Sequence, residues 1–258
     1  MAEENKQQAC SRKRLPLLDV IRGLTLISMI AYHGAWDLVY LAGLDWPWYH
    51  SQGAFYWQQS ICWSFILLSG VCVTLSHHLW KRGLEVYACG ILVTVVTLIF
   101  LPEDRVIFGV LTFLGNAMLI TALLYSTVLV KIPWGCGLIV CAILFAVFRS
   151  INSGYIQIIG KIELPKILYQ GSAATYIGFT DPAFYSTDYF SLLPWIFLFW
   201  CGMYLGILLQ KKGVWQHSLM QVDVPLLSFM GRHSLFIYLL HQPVLYGVIL
   251  LCQAAGLG

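Results

Sequence analysis

The sequence predicts an all-α polytopic transmembrane helix bundle of about seven spans, with the N-terminus cytoplasmic and the C-terminus outside. Three observations lead there. Of the 258 residues, 59% are hydrophobic and only 10% charged, whereas a soluble domain carries about 25% charged residues. The charges are grouped, leaving stretches free of Asp, Glu, Lys and Arg at 46–80, 86–102, 106–130, 132–148, 189–210 and 233–258. Crossing the hydrocarbon takes about 20 mostly apolar residues. Finally, the basic residues divide unevenly between alternate connections. The same figures exclude a soluble globular domain and a disordered chain. Eight cysteines without framework spacing exclude a secreted disulfide scaffold, and a net charge of +3 spread over a few clusters offers nucleic acid no face.

In chain order, residues 1–16 form a basic cytoplasmic tail ending in Ser11-Arg12-Lys13-Arg14, and 17–258 read as one transmembrane domain. The apolar segment behind the tail is longer than a signal-peptide core and shows no small-residue cleavage site, so a retained first helix is expected. This segment, 15–44, stands apart because it carries Asp19, Arg22, His33 and Asp37. The second begins in Trp46, Trp48 and Tyr49, aromatics suited to a membrane interface, and holds His50 in the first outer loop. His77-His78 and Lys81-Arg82 mark the following cytoplasmic boundary. Three further spans follow closely.

The one long connection, 150–187, falls outside and is rich in turn formers (Asn152, Gly154, Gly160, Pro165, Gly171, Asp181, Pro182). A loop of that length without a span of its own is expected to be a lid or a re-entrant segment. In the sixth segment, Gly202 and Gly206 form a small-xxx-small pair that predicts close helix packing. Gly231, before the last apolar run, predicts a tight entry into the final span. Seven cysteines lie in apolar segments and are read as small hydrophobes, and no metal site is expected.

Lysine and arginine are retained on the cytoplasmic side. Seven spans with a cytoplasmic N-terminus put ten basic residues inside (Lys6, Arg12, Lys13, Arg14, Lys81, Arg82, Lys131, Lys211, Lys212, Arg232) and four outside (Arg105, Arg149, Lys161, Lys166). An even number of spans breaks that asymmetry.

Ionisable groups within a span cost about 2.5–3.5 kcal/mol each on insertion scales and mark function by default. Arg22 and His33 are eleven residues apart, which at 100° per residue is three turns plus about 20°. Asp19, Arg22, His33 and Asp37 therefore share one helix face, with a fixed cation toward the inner end and a titratable imidazole about 16 Å further out. Such a stripe suits a general base, His33, oriented by the Asp37 carboxylate. The plainer reading makes Asp19 and Arg22 an interfacial pair and His33 a packing residue bonded to Asp37. In the last segment, Tyr238, His241 and Gln242 recur at helical spacing, either as a substrate-binding group or as a polar seam. Asp188 either binds an amine or hydroxyl acceptor or caps the helix that follows it.

Arg22-Gly23-Leu24 with His33 (R-x10-H), Ser64-Phe65-Ile66-Leu67-Leu68-Ser69-Gly70, Asp188-Tyr189-Phe190 with Leu193-Pro194-Trp195, and Gly231-Arg232-His233-Ser234-Leu235 with Tyr238 and His241 occur in this order. The combination resembles the membrane acyltransferases, and most closely the heparan-alpha-glucosaminide N-acetyltransferase catalytic-domain family, related to the acyltransferase-3 type membrane enzymes. The resemblance implies cytosolic acetyl-CoA as acyl donor and an extracytoplasmic glycan or amino-sugar acceptor. It also implies a pore for the pantetheine arm and a histidine base near the outer end. R-x10-H gives that role to His33. The animal lysosomal enzyme departs from this pattern and uses an outer-loop histidine, which keeps His50 beside His33. That enzyme's lumenal domain and extra spans are not seen in this chain, so an acceptor other than heparan is expected.

An acyl thioester needs a base for the attacking group and a cationic mouth for the phosphates of CoA. Arg14, Arg22, Lys81, Arg82 and Arg232, with Lys211 and Lys212, supply the cations, as the positive-inside rule alone would also do. The expected setting is a multi-pass protein of the cell (inner) membrane, in contact with lipid and without nucleic acid, its oligomeric state open to a homodimer. A proton-coupled small-molecule transporter using the same stripe as a relay is the competing class, and a structural membrane subunit is a third.

Overall fold

The charge-free stretches become helices. In the computed structural model, which describes residues 14–255, α1 (Pro16–Tyr40), α2 (Gln52–Val73), α3 (Leu79–Phe100), α4 (Val110–Leu124), α5 (Trp134–Phe148), α7 (Leu192–Lys211) and α9 (Ser234–Ala254) match the seven apolar segments in order. Between them lie two short helices, α6 (Gly171–Ile177) and α8 (Pro225–Arg232), and one hairpin. Most of the expected basic tail, with Arg12 and Lys13, and the terminal Gly258 lie outside the described residues.

Five helices among the described residues are long and apolar enough to cross a membrane: Pro16–Tyr40, Leu79–Phe100, Trp134–Ser153, Leu192–Lys211 and Ser234–Ala254. The other two differ for separate reasons. The 15 residues of α4 rise only about 22 Å, short of a hydrocarbon layer of about 30 Å. α2 is long enough, with 22 residues, but spends Gln52, Gln58, Gln59, Ser60 and Ser64 on polar side chains.

The chain divides into two compact units, with boundaries inside α2 at 61/62 and after Lys211. In the first, α1 is the axis. Along α8 the approach is backbone to backbone: a Cβ on Gly23 would collide with the Leu227 carbonyl, and one on Gly231 with the Asp19 carbonyl. This pairing, 19 with 231 and 23 with 227, makes α8 antiparallel to α1. Gly231 thus serves helix contact inside α8 rather than the tight turn its position suggests.

α9 then runs parallel to α1. Its Leu245 faces Gly34, and Gln253 Nε2 donates to the Leu41 carbonyl at 3.0 Å. Phe236, Leu240, Val244, Val248 and Leu251 are exposed along α9, at a spacing that keeps them on one face. Tyr238, His241 and Gln242 are half-buried on the other side. Apolar residues outward and polar residues inward suit lipid as the surrounding solvent.

The second unit repeats the glycine contact twice. Gly70 meets the Phe199 carbonyl while Gly202 meets the Leu67 carbonyl, joining α2 to α7, and Gly206 adds Val71. Gly90 and Gly115 do the same for α3 and α4, against Thr112 and Tyr87. The close packing expected of Gly202 and Gly206 is present. Within this unit, Trp200 Nε1 donates to Thr121 Oγ1 (2.9 Å) and the Tyr204 hydroxyl to the Leu129 carbonyl (3.1 Å).

The long connection after α5 is an ordered cap, not a featureless loop. β1 (Tyr155–Gln157) pairs antiparallel with β2 (Lys161–Glu163) in the register Tyr155 to Glu163, and α6 follows. The Asn152 amide ties its ends together, with Nδ2 within 3.3 Å of the Gly178 carbonyl, Thr180 Oγ1, Tyr189 OH and Ser191 Oγ. Two amide protons shared over four oxygens make this a three-centre arrangement. Asp181 accepts from the amides of Gly171 (2.7 Å) and Ala183 (2.9 Å), which hold its carboxyl below the usual range.

Candidate functional site

Asp19 and Arg22 lie in the first turns of α1, where Asp19 is 8% exposed. Its Oδ1 takes Arg22 Nη1 and its Oδ2 takes Arg14 Nε, both at 3.2 Å. Arg22 Nη1 also reaches the Gly231 carbonyl at 3.5 Å, where a cation suits the C-terminal end of α8. The pairing matches the interfacial reading of this turn. Arg14 remains largely exposed, and Arg232, next to Gly231, is exposed at the same end of the unit. Lys81 and Arg82 belong to the second unit, exposed at the start of α3, with Lys81 3.9 Å from Glu85.

Three turns along α1 lies the second polar group. Asp37 is fully buried, and its Oδ1 accepts from Gln242 Nε2 at 2.7 Å. The carboxylate expected to orient His33 is therefore engaged across the helix pair. One turn separates His33 from Asp37 in sequence, but the imidazole points toward α9, where its ring centroid lies 4.9 Å from that of His241 with planes at 60°. His241 in turn lies 5.3 Å from the Tyr238 ring. The stripe on α1 and the constellation on α9, four candidates by sequence, thus meet as His33, Asp37, His241 and Gln242.

Aromatic rings enclose the His33 end of the unit. Tyr32 touches His33 (6.1 Å), Tyr49 (5.4 Å) and Trp57 (5.2 Å), and Trp57 Nε1 donates to Ser28 Oγ at 2.8 Å. His50 lies beyond this wall, exposed against Tyr40 and Tyr49. Two rings, Tyr32 and Tyr49, separate it from His33. No spacing rule places Tyr32 in this wall, because nothing on α1 indicates which neighbour its ring will meet.

Asp188, in the second unit, caps a helix, though not the one that follows it. Its Oδ2 accepts from the Val110 amide at 3.0 Å, at the start of α4, and a Cβ on Gly109 would strike the same oxygen. Burial pushes this carboxyl up to about 6, against the opposing pull of the Val110 amide. Beside it, Tyr87, Thr112, Asn116 and Tyr176 line a mainly apolar cavity of about 420 Å³. Burial raises the Tyr176 hydroxyl to about 12. Among the described residues no cluster of three or more His, Cys, Asp or Glu forms a metal site, and seven cysteines are free thiols.

Five long apolar helices among the described residues define an integral membrane protein, and in the first unit α1 and α9 hold a histidine, carboxylate and amide group between them. The chain belongs to the heparan-alpha-glucosaminide N-acetyltransferase catalytic family, whose sequence profile matches residues 14–243. Acetyl transfer is the activity for which that family is named. Comparisons with curated proteins and with solved structures gave no significant match.

Proposed function

We propose that the protein is a transmembrane acetyltransferase. It moves an acetyl group from cytosolic acetyl-CoA to an amine or hydroxyl of an extracytoplasmic sugar or envelope glycan. The observation that carries this reading is the two-ended polarity of α1. Exposed Arg14 and Arg232 lie with Arg22 at one end, and the His33, Asp37, His241 and Gln242 group lies at the other. A diphosphate needs accessible cations, a requirement that exposed Arg14 and Arg232 meet better than the largely buried Arg22, although Arg14 and Arg22 both pair with Asp19. The reacting carbonyl needs a base shielded from water.

Transfer of the acetyl group forms a bond from the acceptor nitrogen or oxygen to the thioester carbon and breaks the carbon–sulfur bond. His33 takes the acceptor's proton, which ends on the departing sulfur as CoA thiol. His50, exposed outside the aromatic wall, is the secondary choice of base. Asp37 holds Gln242 and through it the turn of α9 that carries His241. Asp188, which holds the Val110 amide at the start of α4, is the secondary candidate for contact with the acceptor. Lys81 and Arg82, exposed at the start of α3 in the second unit, are further candidate cations for the donor.

Residues 17–258 act as one domain in the cell (inner) membrane, as a monomer or homodimer. The parallel course of α1 and α9 supports an odd number of crossings; counting α2 and α4 with the five long apolar helices makes seven, and the basic asymmetry favours a cytoplasmic N-terminus and an outer C-terminus. The test of the chemistry is CoA release from acetyl-CoA by purified protein in the presence of glucosamine. Its dependence on His33 separates this reading from a transporter, which needs no thioester.

A further inference from the structure

The imidazole of His241 has one nitrogen committed. Its Nδ1 is hydrogen-bonded to the carbonyl of Tyr238, three residues earlier on α9. A carbonyl oxygen can only accept, so Nδ1 carries the proton and the neutral ring keeps its lone pair on Nε2. That Nε2 is buried and meets no hydrogen-bond partner among the described residues. Pro243 sits inside α9 two residues on. Lacking an N–H, it leaves the Leu239 carbonyl without its helical donor and loosens the turn that carries His241 and Gln242. The His33 ring packs edge to face against the His241 ring, 4.9 Å between centroids.

Asp37, the group suited by sequence to stabilise a charged His33, instead receives the Gln242 amide. From these contacts we infer that His241 is the positioning residue of the base. Its Nε2 accepts a hydrogen bond from His33 and shares the proton that His33 removes from the acceptor, until the thiolate of CoA takes it. This inference rests on the acetyltransferase reading, because it assigns a partner to that reaction's base. Each step conserves the proton: it leaves the acceptor nitrogen or oxygen, is held between two imidazoles, and ends on sulfur.

Two substitutions separate the two nitrogens. Asparagine at 241 places an amide near the position of Nδ1, keeping the tether to Tyr238 and removing the acceptor. Glutamine reaches the position of Nε2 and offers an oxygen to His33. His241→Asn should lower kcat about 100-fold, the lower range of a general acid–base contribution, with KM for acetyl-CoA unchanged. His241→Gln should recover about a tenth of the wild-type kcat. A structural role alone would lower folded yield or raise KM and would not distinguish asparagine from glutamine.

Independently of activity, nitrogen-15 spectra of histidine-labelled full-length protein in detergent micelles should show His241 protonated on Nδ1 and bare on Nε2. A proton on Nε2, or equal kcat in wild type and both variants, would overturn the proposal. Failure of the wild-type protein to release CoA would instead overturn the acetyltransferase reading, while the spectrum would still decide the tautomer.

Discussion

Gly23→Ala adds one methyl at one of the two close backbone contacts between α1 and α8, the other being at Gly231. The added carbon would stand 2.8 Å from the Leu227 carbonyl carbon and 3.0 Å from its Cα, closer still to the oxygen. Backbone cannot rotate aside as a long side chain does, so α1 and α8 must part by about 1 Å to restore ordinary contact, an overpacking that costs about 1–3 kcal/mol. The separation also lengthens the Arg22 contact with the Gly231 carbonyl, already 3.5 Å. At about 2–4 °C per kcal/mol for a chain of this size, the loss corresponds to a fall in Tm of about 2–12 °C. Thermal unfolding of the detergent-solubilised protein measures it. Gly135→Ala is the control, since nothing lies within 4 Å of a Cβ there. Alanine's better helix propensity should leave that variant as stable as wild type or slightly more so. Equal Tm for Gly23→Ala and wild type would refute the interlock, as would an equal fall in both variants.

His33→Ala should abolish acetyl transfer while leaving the protein folded, and His50→Ala should cost less than about tenfold. A reversal of the two in a CoA-release assay would move the base to His50. For Asp188 the raised native carboxyl, about 6 against 3.8 unperturbed, means that the folded state binds more protons than the unfolded one between those values. Stability is therefore fullest below about pH 4 and declines by about 2–3 kcal/mol as pH rises to 6. Asp188→Asn should flatten that part of a Tm-against-pH curve, and an unchanged slope would remove Asp188 as its source. Asn152→Ala removes the two amide protons shared among four oxygens of the cap and should lower stability by about 2–3 kcal/mol. Limited proteolysis should then cut first within 150–187, and wild-type resistance there would contradict the role of the amide.

The long helices were legible because each overlaps an apolar run set off by charged residues, and the α1 stripe because 100° per residue fixes its face. Which carboxylate serves which imidazole was not. His33 and Asp37 are one turn apart on one helix, yet the 2.7 Å bond of Asp37 goes to Gln242, 205 residues away. Spacing along one helix carries no information about the rotation of its neighbour. The same limit hides the destination of Asp188, which caps α4 rather than α7. The helix contacts of Gly23 and of Gly231, the latter read as a tight entry into the final span, were not legible because they depend on a second backbone. The hairpin in the 150–187 cap left only a faint mark in Tyr155-Ile156-Gln157-Ile158-Ile159-Gly160-Lys161-Ile162-Glu163, where apolar and polar residues begin to alternate and then stop.

The central claim is that donor and acceptor reach one polar centre from opposite faces of the membrane. Sealed vesicles of known orientation, with acetyl-CoA supplied only on the cytoplasmic side and a membrane-impermeant amino sugar only on the outer side, test it directly. The account predicts acetylated sugar outside, CoA thiol on the cytoplasmic side, and loss of both in His33→Ala. Product formed only when both substrates share the cytoplasmic side would contradict transfer through the membrane.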